Sequence, residues 1–191
     1  MGNLAEKLGF FLFIFTVMNI SSSPYPFLLV ISYIIHEVGH LAFAKLVGAR
    51  VTDFKTSLCR LNIKYDCSGI SYLREAAVCG GGIIFNFIFA LIFSLPFFNQ
   101  YERASFFSLC NAALGIMNLY PVNMLDGGNV LRCVLNRFFS EGLTLRICAV
   151  VSFIFIFIFW LFAVYLQLIF SADISFFLIS VFLLIELCFS V

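Results

Sequence analysis

Two histidines and a glutamate lie within five consecutive residues, His36-Glu37-Val38-Gly39-His40, and the chain has no other histidine. Residues four apart share one face of an α-helix, so two imidazoles at this spacing can bind one zinc ion while the glutamate reaches a water molecule beside it. The motif lies in an uninterrupted apolar segment, where ionisable side chains usually mark a functional site. The pattern predicts a membrane-embedded zinc site with His36 and His40 as ligands and Glu37 as general base.

A second group of chemically distinctive residues lies between Asn118 and Gly128, in the stretch Asn-Leu-Tyr-Pro-Val-Asn-Met-Leu-Asp-Gly-Gly. A catalytic zinc generally has three protein ligands and an open position, and a carboxylate suits the third position beside two imidazoles. Asp126 is therefore the candidate third ligand. Pro121 and the Gly127-Gly128 pair are expected to interrupt regular helix, which is tolerated at membrane depth where the backbone lines a wet cavity.

The composition assigns the chain to the polytopic membrane proteins. Of the 191 residues 63% are hydrophobic and only 11% are charged, and the mean hydropathy is +1.09. The net charge of +1 gives no indication of nucleic-acid binding, so the lipid bilayer is the expected surrounding partner. The seven cysteines form no Cys-x-x-Cys pair and are expected to be reduced, apolar side chains.

Apolar segments predict an all-α fold of about six transmembrane helices in a single membrane-embedded domain, residues 1–191. The segments are 8–20, 25–47, 76–98, 104–120, 143–170 and 174–191. The first is short for a bilayer that needs about 20 apolar residues, and a signal peptide is its alternative interpretation.

Basic residues are distributed unequally between the predicted loops. In a six-span arrangement, the loops on one side contain only Arg103, whereas the other loop cations lie on the opposite side. The positive-inside rule then places both termini in the cytoplasm. Segments two and four both run inward, so His36, His40 and Asp126 are expected at a similar depth toward the cytoplasmic side.

The loop between segments two and three has the pattern of a small β-hairpin. Residues 60–65 alternate polar and apolar side chains, which is typical of a strand. Residues 66–69 are expected to form a turn before a second strand at 70–73. We expect an amphipathic hairpin at the membrane surface. One interpretation is that its edge binds an extended substrate by β-augmentation, and the other is that it only anchors on lipid headgroups.

Together, the HEVGH motif and the later N-x-x-P-x-x-x-L-D-G-G pattern resemble the site-2 protease family of intramembrane zinc metalloproteases, peptidase family M50. The resemblance implies that His36, His40 and Asp126 bind one Zn²⁺ per chain and that Glu37 activates water. It covers about 25–132, which it implies is the catalytic core, flanked by helices 8–20, 143–170 and 174–191. The implied reaction is cleavage of a peptide bond in or near a transmembrane segment of a membrane-protein substrate, as in regulated intramembrane proteolysis.

The short length and cytoplasm-facing site are most similar to the branch typified by stage IV sporulation protein FB. This similarity implies an integral, multi-pass protein of the bacterial cytoplasmic membrane. A regulatory membrane protein is a further expected partner.

A third stretch matches the family less fully. Gly80-Gly81-Gly82-Ile83-Ile84-Phe85-Asn86 opens segment three where the family commonly has Gly-Pro-x-x-Asn, so Ile83 stands in place of the proline. Asn86 is a candidate substrate-binding residue, because an amide donor can hydrogen-bond the substrate backbone or the developing oxyanion. The alternative is an interhelical hydrogen bond, with the glycines allowing close helix packing.

Two other functional classes are compatible with these residues. A non-catalytic protein of the same fold would bind membrane clients without cutting them, and substitution of Glu37 would leave its activity intact. In a metal ion transporter, His36, His40 and Asp126 would line an ion path, but the sequence lacks the inverted repeat often seen in such proteins.

Overall fold

The computed structural model describes residues 25–57, 60–66, 71–123 and 125–170. Its elements in these ranges are α1 (Tyr25–Val47), β1 (Arg50–Ser57), β2 (Arg60–Asp66), α2 (Tyr72–Phe93), α3 (Pro96–Asn99), α4 (Glu102–Leu119), α5 (Asp126–Asn136) and α6 (Glu141–Phe170). The predicted helices 8–20 and 174–191 lie outside the described residues. The chain divides between Asn118 and Leu119 into two compact units.

Three helices within the described ranges are long and apolar enough to cross a membrane: α1, α2 and the Glu141–Ile169 portion of α6. These helices indicate an integral membrane protein, and the helical character of the fold is confirmed. The predicted fourth segment is also helical, as α4, but Glu102, Arg103 and two asparagines lower its hydropathy. A total of six membrane crossings stays a prediction.

The first described helix, α1, ends at Val47 because Gly48 adopts a left-handed conformation with φ +78°. Glycine takes this conformation without the steric cost of a Cβ atom and is the usual residue after a last helical turn. The Ala49 amide then donates to the Ala44 carbonyl at 2.9 Å, which satisfies one of the last carbonyls of the helix.

The two strands pair antiparallel, with a register that runs from Arg50 opposite Asp66 to Ser57 opposite Arg60. The alternating segment 60–65 is therefore a strand, but its partner precedes it in the chain. The predicted second strand at 70–73 is wrong for Tyr72 and Leu73, which begin α2. Helix satisfies backbone groups within one segment, and this suits the long apolar run that starts there. Residues 67–70, with most of the predicted turn, lie outside the described residues.

The predicted segment 76–98 is divided into two helices. α2 begins at Tyr72 and ends at Phe93, and Pro96 begins the short helix α3. Proline disfavours helical conformation in the residue before it, and Leu95 accordingly is extended, with φ −62° and ψ 147°. Pro96 itself has no amide hydrogen to lose at the first helical position.

Helices α1 and α2 of the first unit approach each other at their glycines. A Cβ atom added to Gly39 would lie 2.5 Å from the Gly81 carbonyl oxygen, and one added to Gly81 would lie 2.7 Å from the Gly39 oxygen. The two backbones are thus in direct contact, as small residues permit between membrane helices. The two helices run antiparallel. Val78 on α2 contacts His40 on α1, and Gly82, one turn later on α2, also contacts His36, one turn earlier on α1.

Helix α4 of the same unit is joined to α1 and α2 by hydrogen bonds. Asn111 Nδ2 donates to Ser32 Oγ on α1 at 2.9 Å. The Ser108 hydroxyl donates to the Ala90 carbonyl on α2 at 2.7 Å. At the first turns of α1 and α4, the Tyr25 hydroxyl donates to Glu102 Oε1 at 2.5 Å.

The second unit begins with an interruption of helix between Leu119 and Asp126, and Pro121 lies within it as predicted. The Gly127-Gly128 pair does not interrupt helix, because both residues belong to the first turn of α5. They serve close packing: an added Cβ atom would collide with the Leu119 carbonyl at Gly127 and with the Val122 carbonyl at Gly128.

Candidate metal centre

The two histidines of α1 are buried and their side chains converge. His36 is 4% exposed and His40 is 8% exposed. Their Nε2 atoms lie 3.2 Å apart, and the ring planes are at 84° to each other. Helical spacing thus brings two nitrogen donor atoms to one point, as the sequence predicts.

The tautomer of His40 follows from its second nitrogen. His40 Nδ1 lies 2.8 Å from the carbonyl oxygen of Val78 on α2. A carbonyl oxygen only accepts, so Nδ1 carries the hydrogen and a neutral His40 has its lone pair on Nε2. Metal-binding histidines commonly donate their other ring N–H in this way, which fixes the ring and makes the free nitrogen a better ligand.

The histidine pair fits a zinc ion. Zinc binds histidine nitrogens at about 2.0–2.1 Å with tetrahedral geometry, which places two ligand nitrogens about 3.3 Å from each other. The separation of 3.2 Å between the Nε2 atoms of His36 and His40 is close to that value. Nitrogen and carboxylate oxygen donors are also the types that zinc accepts in catalytic sites.

Gly82 on α2 makes room for the two imidazoles. A Cβ atom at this position would lie 2.6 Å from His36 Cε1 and 2.6 Å from His40 Nε2. Real Cβ atoms essentially never approach so closely, so any larger residue would displace one of the rings. The absence of a side chain at residue 82 therefore shapes the site.

Glu37 occupies the boundary between the buried and exposed faces of α1. Its side chain is partly buried, whereas the next residue, Val38, is 45% exposed. The predicted general base is therefore adjacent to the histidines in sequence and less enclosed than they are. This position suits a group that exchanges protons with a substrate or with water.

Asp126, the predicted third ligand, is the first residue of α5 in the second unit and is 8% exposed. A carboxylate in the first turn of a helix is favoured by the N-terminal end of the helix dipole. The segment before it is fixed by α6: Ser152 Oγ accepts from the Asn123 amide at 2.9 Å, and Val122 packs against Ile156. Asp126 is thus held by a well-packed turn.

Asn86 on α2 is completely buried. Within the described ranges, neither its Oδ1 nor its Nδ2 atom has a hydrogen-bond partner. The interhelical hydrogen bond considered as the alternative role of Asn86 is therefore not observed among these residues. The interpretation as a substrate-binding residue stays a prediction.

Several supporting groups are not identifiable from the sequence. The Val78 carbonyl has no sequence signal, because any residue supplies it. Ser152 lies between apolar residues on both sides, and Ser32 lies one turn before His36, so each has a weak signal of polarity in an apolar context. For Asn111 the sequence indicates only a structural polar contact, and its hydrogen bond to Ser32 agrees with that interpretation.

Comparison with known proteins points to one family. A sequence model of Peptidase family M50 matches residues 98–162, a range that includes Asp126 and not the histidine motif. The curated zinc metalloprotease MJ0392 of Methanocaldococcus jannaschii is 29% identical over 128 residues, which cover 64% of this chain. The chain spans 37% of the length of that relative.

The fold is similar to that of a solved structure, the site-2 protease from Methanocaldococcus jannaschii. The TM-score is 0.63 with 24% sequence identity, and the alignment covers 96% of this chain and 90% of the other. The family match, the curated relative and the shared fold thus all support the relationship of this integral membrane protein to peptidase family M50, the site-2 proteases.

Proposed function

We propose that the protein is an intramembrane zinc metalloendopeptidase that hydrolyses a peptide bond in or near a transmembrane segment of a membrane-associated protein. The observation that carries the proposal is the pair of buried imidazoles on a membrane helix, with Nε2 atoms 3.2 Å apart. The similarity to zinc metalloproteases of the M50 family supports the same reaction class.

In this proposal His36, His40 and Asp126 hold one Zn²⁺ ion. A zinc ion bound there supplies a Lewis acid that acidifies a water molecule and polarises a carbonyl group. The Val78 carbonyl keeps the His40 ring in the required tautomer. Asp126 is assigned by its residue type, its burial and its position in the N-x-x-P-x-x-x-L-D-G-G pattern.

Glu37 acts as the general base and then as the general acid. Its carboxylate accepts the proton of the attacking water and later transfers that proton to the leaving amine. The Asn86 amide is proposed to hydrogen-bond the substrate backbone or the developing oxyanion, where a preorganised donor would stabilise negative charge.

An extended substrate would suit the two-stranded sheet that follows α1. A strand edge can pair with an unfolded segment and expose peptide bonds that a helix shields. We place the active site toward the cytoplasmic side of a bacterial cytoplasmic membrane, in one catalytic domain of the stage IV sporulation protein FB type. A regulatory membrane protein is the proposed further partner.

The first test measures zinc in detergent-purified wild-type protein and in the variants His40→Ala, Asp126→Ala and Glu37→Gln. We expect about one zinc per wild-type chain and per Glu37→Gln chain, and loss of zinc from the two ligand variants. Gly142→Ala is the control, because an added Cβ there meets open space. Wild-type protein that cannot be loaded with zinc would refute the proposal.

The second test separates a protease from a client-binding protein. Zinc-loaded wild type and Glu37→Gln are incubated with a solubilised bacterial membrane-protein fraction, and new protein termini are identified by mass spectrometry. New termini are expected with wild type and are expected to fall at least about 100-fold with Glu37→Gln, since general acid and base catalysis contributes that much or more. Client capture without new termini in either sample would favour the non-catalytic alternative.

A further inference from the structure

Three completely buried polar side chains lie on three helices of the first unit: Ser32 on α1, Asn86 on α2 and Asn111 on α4. Asn111 Nδ2 donates to Ser32 Oγ at 2.9 Å, and the Ser32 hydroxyl donates to the Leu28 carbonyl at 2.9 Å. The hydroxyl of Ser32 is therefore occupied both as a donor and as an acceptor.

The amides of this group have further bonding capacity. In residues 25–57, 60–66, 71–123 and 125–170, no partner is present for Asn86 Oδ1, Asn86 Nδ2 or Asn111 Oδ1. Buried polar atoms are nearly always hydrogen-bonded, to protein or to ordered water, because an unmade bond is costly in an apolar interior. Three such atoms on two asparagines thus indicate a ligand that can both donate and accept.

Asn86 and Ser32 lie at the same level between α1 and α2. Gly82 packs against His36, and Asn86 is one turn beyond Gly82 on the same face of α2. Ser32 is one turn before His36 on the same face of α1. Helices α1 and α2 are antiparallel, so one turn before His36 on α1 and one turn beyond Gly82 on α2 lie in the same direction from the histidine pair. The side chains of Ser32 and Asn86 therefore face each other one turn from that pair.

Asn111 reaches the same level from α4. Ser108, one turn before it, donates to the Ala90 carbonyl of α2, and Gly115, one turn after it, packs against the ring of Phe87. Asn111 therefore lies against the portion of α2 that contains Asn86. Its hydrogen bond to Ser32 places it beside the same portion of α1.

We propose that Ser32, Asn86 and Asn111 form an internal water-binding site one helical turn from the histidine pair. A buried water typically has two to four polar partners, and Asn86 Oδ1, Asn86 Nδ2 and Asn111 Oδ1 offer that number. The three side chains are neutral, so the site has no carboxylate to favour a metal cation. Water fits because it donates to Asn86 Oδ1 or Asn111 Oδ1 and accepts from Asn86 Nδ2.

The site would hold water at a depth where the bilayer supplies none. This role rests on the proposed function, because peptide hydrolysis consumes one water molecule per turnover. A water molecule held one turn from His36 could replace the one that is consumed. The binding of water itself does not depend on proteolysis. The two ideas are therefore tested by separate measurements.

The direct test is an experimental structure of the zinc-loaded protein in lipid nanodiscs, at a resolution that shows ordered water. We expect density within hydrogen-bonding distance of the Asn86 amide and Asn111 Oδ1, and its absence in Asn111→Leu. A protein group bonded to these amide atoms in wild type, or no density beside them, would overturn the proposal.

A second test needs no diffraction. Wild type and Asn111→Leu are exposed to short X-ray pulses in ¹⁸O-labelled water, which oxidise side chains next to bound water. Cys110, adjacent to Asn111 in the sequence and buried, is expected to gain several-fold more ¹⁸O than Cys133 and Cys148, which are also buried and lie in the second unit. The excess should disappear in Asn111→Leu and persist in Ser108→Ala. Equal labelling of the three cysteines in wild type would contradict the water site and leave the zinc and cleavage results unaffected.

Discussion

His36 and His40 are supported by neighbours that contribute no functional side chain. Val78 supplies a backbone carbonyl, and Gly82 supplies space. Supporting groups of this kind orient metal ligands, and their loss commonly lowers metal affinity 10–100-fold, although they never touch the ion. The geometry of the histidine pair is therefore sensitive to changes on α2 as well as on α1.

We expect Gly82→Ala to weaken zinc binding by about 10–100-fold, because its Cβ atom would displace an imidazole. Zinc affinity is measured by competition with a chelator of known affinity. Gly142→Ala is the matched control, since its Cβ atom meets nothing within 4 Å. Unchanged affinity in Gly82→Ala would show that the rings accommodate a methyl group and that Gly82 does not shape the site.

At the residue scale, sequence spacing was sufficient to identify the histidine pair, because helical periodicity alone places side chains four apart on one face. The carbonyl to which His40 is bonded was not predictable in this way. It is a main-chain group of another helix, and its position depends on how closely α1 and α2 approach at Gly39 and Gly81.

At the element scale, the turn that leads to Asp126 depends on α6. Ser152 accepts from the Asn123 amide at 2.9 Å and lies 3.5 Å from the Pro121 carbonyl. Because Pro121 interrupts the helix, these backbone groups have no intrahelical partner, and one serine hydroxyl replaces the missing bonds. Helix α6 is thus more than a flanking membrane segment.

We expect Ser152→Ala to lower the free energy of unfolding by about 1–3 kcal/mol, since the Asn123 amide would lose its partner. Zinc affinity should fall as well, because the turn precedes Asp126. Thermal unfolding in detergent measures the first effect. Ser94→Ala is the control: its exposed hydroxyl bonds the Leu91 carbonyl of its own helix, and a change within about 0.5 kcal/mol is expected. Equal stability of the two variants would exclude this role for Ser152.

The sequence predicted the described helices better than the irregular segments. Apolar runs located α1, α2, α4 and α6, since length and hydrophobicity suffice for membrane helices. The division at Pro96 and the strand partner of 60–66 were missed. An apolar run does not reveal a break at one proline, and an alternating strand does not reveal which neighbouring segment pairs with it.

At the scale of the whole molecule, the unequal distribution of basic residues predicts one orientation in the membrane. Gln100 lies between α3 and α4, and Ser140 lies between α5 and α6; both are exposed. We expect a membrane-impermeant maleimide on intact cells to label Gln100→Cys and not Ser140→Cys. Both should be labelled after permeabilisation, with wild type giving the background from native thiols. Labelling of Ser140→Cys alone in intact cells would reverse the topology and place the histidines toward the outer side.

Two hydrogen bonds join α1 to α4, one between Tyr25 and Glu102 and one between Ser32 and Asn111. In the proposed function a transmembrane substrate reaches His36 and His40 from the lipid, and entry between α1 and α4 would push these two helices apart. Separation of α1 from α4 would leave the buried polar atoms of Ser32 and Asn111 without each other as partners, whereas the exposed Tyr25 hydroxyl could bond water instead. Under the proposed function, we therefore expect the contact between α1 and α4 to stay closed while a substrate enters.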